Sequence, residues 1–211
     1  MGFYTGTGSD DRIQGTRRED VAFGLGGDDS IFTYGEAQGG GPYALYRAQA
    51  ADRADWVFAG EGDDTVSAGA GADTIYGGEG DDVITAGAGA DAIFGGAGDD
   101  VFAFGWLGGP SDEADTRSGR GNRDVILDFE QGSDLIDLSG YADASGAVWI
   151  GTDRPTRSDE LQVGYRTEGA ATIVQFYAPS GGGWGWGWSP RPTGEIEVLG
   201  RVTLTEGDFI F

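Results

Sequence analysis

The acidic side chains of this 211-residue chain recur at a spacing that suits metal chemistry. Asp11, Asp20, Asp29, Asp55, Asp64, Asp73, Asp82, Asp91, Asp100 and Asp124 each hold the sixth place of a nonapeptide. In the clearest copies the places before that aspartate are rich in glycine. Five copies run without a gap from Ala59 to Ala103, among them GGEGDDVIT at Gly77–Thr85 and AGAGADAIF at Ala86–Phe94. Three upstream copies, Gly6–Gln14, Gly15–Phe23 and Gly24–Phe32, keep the same frame. Weaker ones lie at Ala50–Phe58 and Gly119–Leu127. A short exact period of this kind is the mark of a solenoid, so it decides the fold before any single element is considered.

The elements that must position those aspartates follow from the rest of each nonapeptide. Places seven to nine read as a three-residue strand whose middle residue is apolar: Ile13, Ile31, Val57, Val66, Ile75, Ile84, Ile93, Phe102 and Ile126, with the small Ala22 in the second copy. Alternation turns that residue inward and its neighbours outward. Places one to six are turns, where glycine supplies positive φ and close backbone approach. The fifth place alternates strictly from Ala54 to Asp99 between alanine and aspartate, which gives a true period of 18 and two nonapeptides per coil. One rim then carries the pairs Asp63-Asp64, Asp81-Asp82 and Asp99-Asp100, and the other carries Asp73 and Asp91. The ninth place shows the same parity, so that Phe23, Phe58, Tyr76 and Phe94 form an outward aromatic stripe on one sheet.

Stacked strands lie about 4.8 Å apart, so successive carboxylates along a rim repel one another. Residues 59–103 contain no basic residue to pair them. Calcium answers that need, because it accepts six to eight oxygens, tolerates irregular geometry and takes backbone carbonyls. Magnesium demands stricter octahedral geometry and keeps its water.

Composition narrows the function classes. Acids number 36 against 13 basic residues, all arginine, for a formal charge of −23 and a pI near 4.1. There is no histidine or cysteine, which removes Ser–His and Cys–His nucleophiles, HExxH zinc sites and disulfides. The charge repels nucleic-acid phosphates and anionic lipid, and no run of 18 apolar residues offers a membrane span. The N-terminus carries no basic and apolar segment of the secretory-signal type. No catalytic residue is assigned.

The nonapeptides resemble the RTX (hemolysin-type) calcium repeat GGxGxDxUx. The resemblance implies an all-β fold: a right-handed parallel β-roll over residues 1–127, then an antiparallel β cap over 128–211. It implies calcium held between same-parity turns by the aspartate and carbonyls of the glycine-rich turn. Carried across, the ligand set is Asp11, Asp29, Asp64, Asp73, Asp82, Asp91, Asp100 and Asp124. The turn glycines are Gly60, Gly62, Gly69, Gly71, Gly78, Gly80, Gly87, Gly89, Gly96 and Gly98. Asp20 and Asp55 are left out, because Arg17-Arg18 and Asp52-Arg53 stand where glycine is expected. About five to eight ions are expected.

Two insertions, 33–49 and 104–118, interrupt the repeats without changing their parity. The first contains Tyr43-Ala44-Leu45-Tyr46-Arg47, readable as one helical turn. From Asp124 the string DVILDFEQGSDLIDLS alternates like two strands joined by a glycine turn, and further strands are expected at Ala147–Ile150, Leu161–Thr167, Thr172–Tyr177, Ile196–Leu199 and Val202–Leu204. The string is similar to the C-terminal region of serralysin-type secreted proteases, whose protease domain has no counterpart here, so protease activity does not transfer. Thr205–Phe211 resembles the uncleaved C-terminal signal of Gram-negative type 1 secretion. That resemblance implies an extracellular or cell-surface protein that folds on meeting calcium, with the type 1 secretion apparatus as a partner. Trp184, Trp186 and Trp188 alternate with glycine and support two readings: a flat platform for a glycan or protein surface, or side chains that fold back over the cap. The first would make the chain a carbohydrate- or surface-binding protein on a calcium-stabilised scaffold.

Overall fold

The computed structural model describes residues 1–34, 53–105, 123–141, 146–156, 160–177 and 192–211. Among these it forms strands and a single 3₁₀ turn at Glu206–Asp208, with no α-helix. The roll is built from β1 (Gly2–Thr5), β2 (Arg12–Gln14), β3 (Asp20–Gly26), β4 (Ser30–Phe32), β5 (Trp56–Glu61), β6 (Thr65–Gly71), β7 (Thr74–Glu79), β8 (Val83–Gly89), β9 (Ala92–Ala97), β10 (Val101–Gly105) and β11 (Asp124–Ile126). Odd-numbered strands stack in one parallel sheet and even-numbered strands in the other. Ile75 pairs with Val57 and Ile93, and Ile84 with Val66 and Phe102. The expected coil of two nonapeptides is therefore observed as strand register.

Both insertions leave that register intact. Across the first, Ala22 pairs with Val57 and Ile31 with Val66. Across the second, Ile93 pairs with Ile126 and Phe102 with Ile136. The apolar middle residues fill the space between the sheets: Val57, Ile75, Ile93, Phe102 and Ile126 are completely buried. β2, β4 and β11 have the three residues expected, while β3 and β5 to β10 run to five, six or seven. The first residue of the following nonapeptide also points inward, and Ala59, Ala68 and Ala86 are completely buried. Glycines then carry the pairing onward into the turn. Gly78 has φ +137°, and a Cβ there would collide with the Gly60 carbonyl oxygen of the adjoining coil.

Beyond the repeats, the two sheets continue. β12 (Leu135–Gly140) pairs in parallel with β10, and β17 (Phe209–Ile210) pairs in parallel with β12. The two strands expected to form one glycine-joined pair, β11 and β12, thus lie in different sheets. The antiparallel part of the cap is β14 (Leu161–Glu168), β15 (Ala171–Tyr177) and β16 (Gly194–Leu199), flanked by β13 (Ala147–Gly151). β16 joins this group to β11 in parallel, and β13 pairs with β14 in parallel. Val202–Leu204 is not a strand. The Thr172 hydroxyl holds that segment instead, accepting from the Val202 amide at 2.9 Å and lying 3.1 Å from the Val202 carbonyl it can donate to.

Trp149 against Phe209 and Phe209 against Phe211, with ring centroids 4.9 and 5.7 Å apart, pack the chain end onto the cap. The joint between roll and cap is charged. Buried Arg123 donates to Glu195 at 2.9 Å and reaches Glu168 and Glu197 at 3.3 and 3.4 Å, while Arg166 reaches Glu195 at 3.2 Å. No helix among the described residues is long and apolar enough to cross a membrane.

Ile75 occupies one of these inward places with no exposed surface. Ile75→Ala should lower stability by about 2–5 kcal/mol, since the stacked coils above and below cannot collapse into the cavity. Denaturant unfolding at saturating calcium would measure this.

Candidate metal centre

The sixth-place aspartates form two continuous ladders, one along each rim. On the first, the Oδ1 of Asp29 accepts the Asp11 amide at 2.8 Å, Asp64 accepts from Asp29 at 2.6 Å, Asp82 from Asp64 at 2.8 Å, and Asp100 from Asp82 at 3.0 Å. On the second, Asp55 accepts from Asp20, Asp73 from Asp55, Asp91 from Asp73 and Asp124 from Asp91, at 2.7 to 2.9 Å. The spacing of the repeat produces this geometry directly, because each aspartate stands two residues before the inward residue of its strand. Each amide therefore faces the carboxylate one coil further on.

The second oxygens behave differently. The Oδ2 atoms of Asp29, Asp55, Asp64, Asp82, Asp91 and Asp100 are buried without a hydrogen-bond partner. Those of Asp29, Asp82 and Asp100 sit over the first-place glycines Gly24, Gly77 and Gly95, in space that a Cβ on those glycines would fill. A buried carboxylate oxygen with no donor is costly unless a cation meets it. Among the described residues no three acidic side chains converge on one point. An ion on these rims would draw the rest of its shell from main-chain oxygens and water. That is the oxygen-only, irregular environment calcium accepts.

Burial pushes the rim carboxyls well above the usual carboxylate range. Asp55 and Asp82 rise to about 7, and Asp64 and Asp100 to about 6. The negative charge of stacked neighbours, such as Asp100 and Asp64 around Asp82, adds to burial, and the amide bond to Oδ1 offsets part of it. Asp29 and Asp91 are raised by burial as well.

Asp29, Asp64, Asp73, Asp82, Asp91, Asp100 and Asp124 are thus brought onto the two ladders as the repeat spacing led one to expect. Asp20 and Asp55 are ladder members too, although Arg17-Arg18 and Asp52-Arg53 stand where glycine is expected in their turns. The signal that finds them is frame, since they keep the sixth place when the turn residues change. Asp134 is a further member that nonapeptide spacing does not reveal. It accepts the Asp100 amide at 3.1 Å from a turn with another sequence.

The alternating fifth-place acids have a role of their own. Asp10, Asp28, Asp63 and Asp81 form an outer ladder on the first rim, each accepting the amide of the next, at 2.8 to 3.1 Å. The aromatic stripe is also observed, with Phe23, Phe58, Tyr76 and Phe94 stacked at 4.6 to 5.1 Å. Trp184, Trp186 and Trp188 lie outside the described residues, as do most of both insertions and the turn expected at Tyr43–Arg47.

Comparison with known proteins adds the following. Residues 5–35, 49–84 and 67–102 match the family described as the RTX calcium-binding nonapeptide repeat. No curated protein matches the chain. Two solution structures from the Azotobacter vinelandii mannuronan C5-epimerase are similar to it. The AlgE6R3 subunit is 22% identical, over 98% of this chain and 80% of that one, with a TM-score of 0.36. The AlgE6R2 subunit is 21% identical, over 94% and 91%, with a TM-score of 0.49.

The raised rim carboxyls set the pH response of the metal-free protein. Their folded-state pKa exceeds the unfolded value of about 3.9, so the folded chain binds more protons and stability falls as pH rises through about 6 to 7. In chelator, β structure followed by circular dichroism should therefore increase as pH is lowered from 8 to 5. Stability that rises with pH in chelator would show that the rims are not the controlling groups.

Proposed function

We propose that this chain, whose rims are RTX calcium-binding nonapeptide repeats, is a non-catalytic calcium-binding module that is exported unfolded and folds outside the cell. The observation that carries the reading is the row of buried Oδ2 atoms without donors on both rims. Asp29, Asp64, Asp73, Asp82, Asp91, Asp100 and Asp124 would hold the ions, joined by carbonyls of the glycine-rich turns at Gly60, Gly62, Gly78, Gly80, Gly96 and Gly98 on the first rim, and at Gly69, Gly71, Gly87 and Gly89 on the second. Calcium there neutralises stacked carboxylates that otherwise repel. About five to eight ions fit the number of same-parity turn pairs.

Without calcium, the −23 charge and the chain entropy of 42 glycines oppose compaction. Low cytosolic calcium then leaves the chain extended enough for a type 1 secretion channel, and binding outside becomes folding free energy. The likeness of Thr205–Phe211 to a type 1 signal supports that route. Phe209 and Ile210 end as a strand on β12, so the proposed signal joins the fold once export is complete.

The purified chain in chelator at pH 8 should give a coil spectrum, which turns to β on titration with calcium and not with magnesium at the same concentration. A chain that is fully folded in chelator, or that responds equally to both ions, overturns the calcium reading. Export is tested separately in a Gram-negative host carrying a type 1 apparatus. The full chain should reach the medium, and a chain ending at Leu204 should stay in the cell. Equal export of both would remove the proposed signal.

A further inference from the structure

The rim aspartates fall into two classes. In the turn before Asp11 the Thr7 amide donates to Asp11 Oδ2 at 2.6 Å, and the Thr7 hydroxyl adds a bond of 2.8 Å. Thr16 treats Asp20 Oδ2 the same way, at 2.6 and 3.0 Å. After the last repeat, the Glu130 amide donates to Asp134 Oδ2 at 2.7 Å. In all three the donor lies four residues before the aspartate, and the oxygen that stands bare in the glycine turns is occupied by the turn's own N–H.

The residue four places before the aspartate accounts for the difference. Ahead of Asp64, Asp82, Asp91 and Asp100 it is Gly60, Gly78, Gly87 and Gly96, with φ between +97° and +137°. Each lies inside its strand: Gly60 in β5, Gly78 in β7, Gly87 in β8 and Gly96 in β9. Ahead of Asp29 it is Leu25, the one non-glycine residue with positive φ (+87°) among the described residues, and it lies in β3. Held in the sheet in that conformation, these residues make no bond to Oδ2. Thr7 and Thr16 lie beyond the ends of β1 and β2, which stop at Thr5 and Gln14, and Glu130 lies in no strand. None of the three has positive φ, and their amides turn into the loop.

We infer that the residue four places before each rim aspartate decides whether that turn takes a cation. Positive φ within a strand leaves Oδ2 for calcium, and a residue with negative φ beyond the strand closes the turn with its own amide. This rests on the calcium reading above. It removes Asp11 from the ligand set expected from sequence and gives Asp11, Asp20 and Asp134 a metal-independent role. On the first rim, self-closed turns thus stand at both ends of the ladder, Asp11 before Asp29 and Asp134 after Asp100.

The test is the number of calcium ions bound per chain, by equilibrium dialysis, in the full protein and in the isosteric variants Asp82→Asn and Asp11→Asn. Asp82→Asn should bind at least one ion fewer. Asp11→Asn should bind the same number, with a lower melting temperature from the weakened turn. If Asp11→Asn loses an ion as Asp82→Asn does, or if Asp82→Asn loses none, the two-class rule is wrong while calcium binding stands. If the unaltered protein binds no calcium, the functional reading and this inference fall together. Should Asp82→Asn fail to fold, a crystal structure of the unaltered protein grown in calcium decides. Ions are expected about 2.3–2.6 Å from Asp82 Oδ2 and none at that distance from Asp11, Asp20 or Asp134. An ion on any of those three overturns the inference, and so does a bare Asp82.

Discussion

Everything in the roll answers to one constraint, the stacking of like charges at the spacing of β-strands. A sheet sets its neighbours about 4.8 Å apart, and the repeat places a carboxylate on the same rim at every coil. Each Oδ1 is stabilised by an amide of the preceding coil. That bond draws the column together and also buries it, which raises the cost of the remaining negative oxygen. Asp64, Asp82 and Asp100 are about 1% exposed with Oδ2 unsatisfied. The two facts together leave a column of buried carboxylate oxygens that no donor of the chain satisfies.

The core between the rims is thin. Most coils contribute one large side chain per strand and one alanine or glycine, as with Val57 and Ala59 or Ile84 and Ala86. Close approach of the sheets is possible because those first-place residues are small.

The C-terminal half solves a different problem, that of an open parallel edge. Asp128 accepts the Gly95 and Gly96 amides at 3.0 and 3.1 Å. A side chain thus satisfies donors at the point where the repeats run out. β16 then turns the sheet antiparallel through β15 and β14. The arginine–glutamate cluster around Arg123 lies where parallel pairing gives way to antiparallel, at Glu195 and Glu197 of β16. Arg123 and Glu195 are the buried pair in this cluster, so removing either leaves an uncompensated buried charge.

Much of this protein is determined locally. The period of 18, the inward apolar residues, the sixth-place aspartates and the parity of the aromatic stripe are properties of sequence spacing, because a repeating backbone gives every copy the same environment. Frame marks Asp20 and Asp55 as sixth-place residues, but the residues replacing glycine in their turns leave them out of the ligand set expected from sequence, and it is the structure that puts both on the ladder. What spacing left open was decided by contacts between distant segments. β11 and β12 lie on opposite sheets, since each finds its partner one coil back and not in its neighbour in sequence. Asp134 completes a ladder from a non-repeat turn, and Val202–Leu204 is held by the Thr172 hydroxyl in place of a strand partner. The division of rim carboxylates into bare and self-closed also belongs to tertiary structure. It depends on the backbone conformation of the residue four places earlier and on whether that residue lies inside a strand, and Leu25, which shares both with the glycines, shows that residue type alone does not decide it.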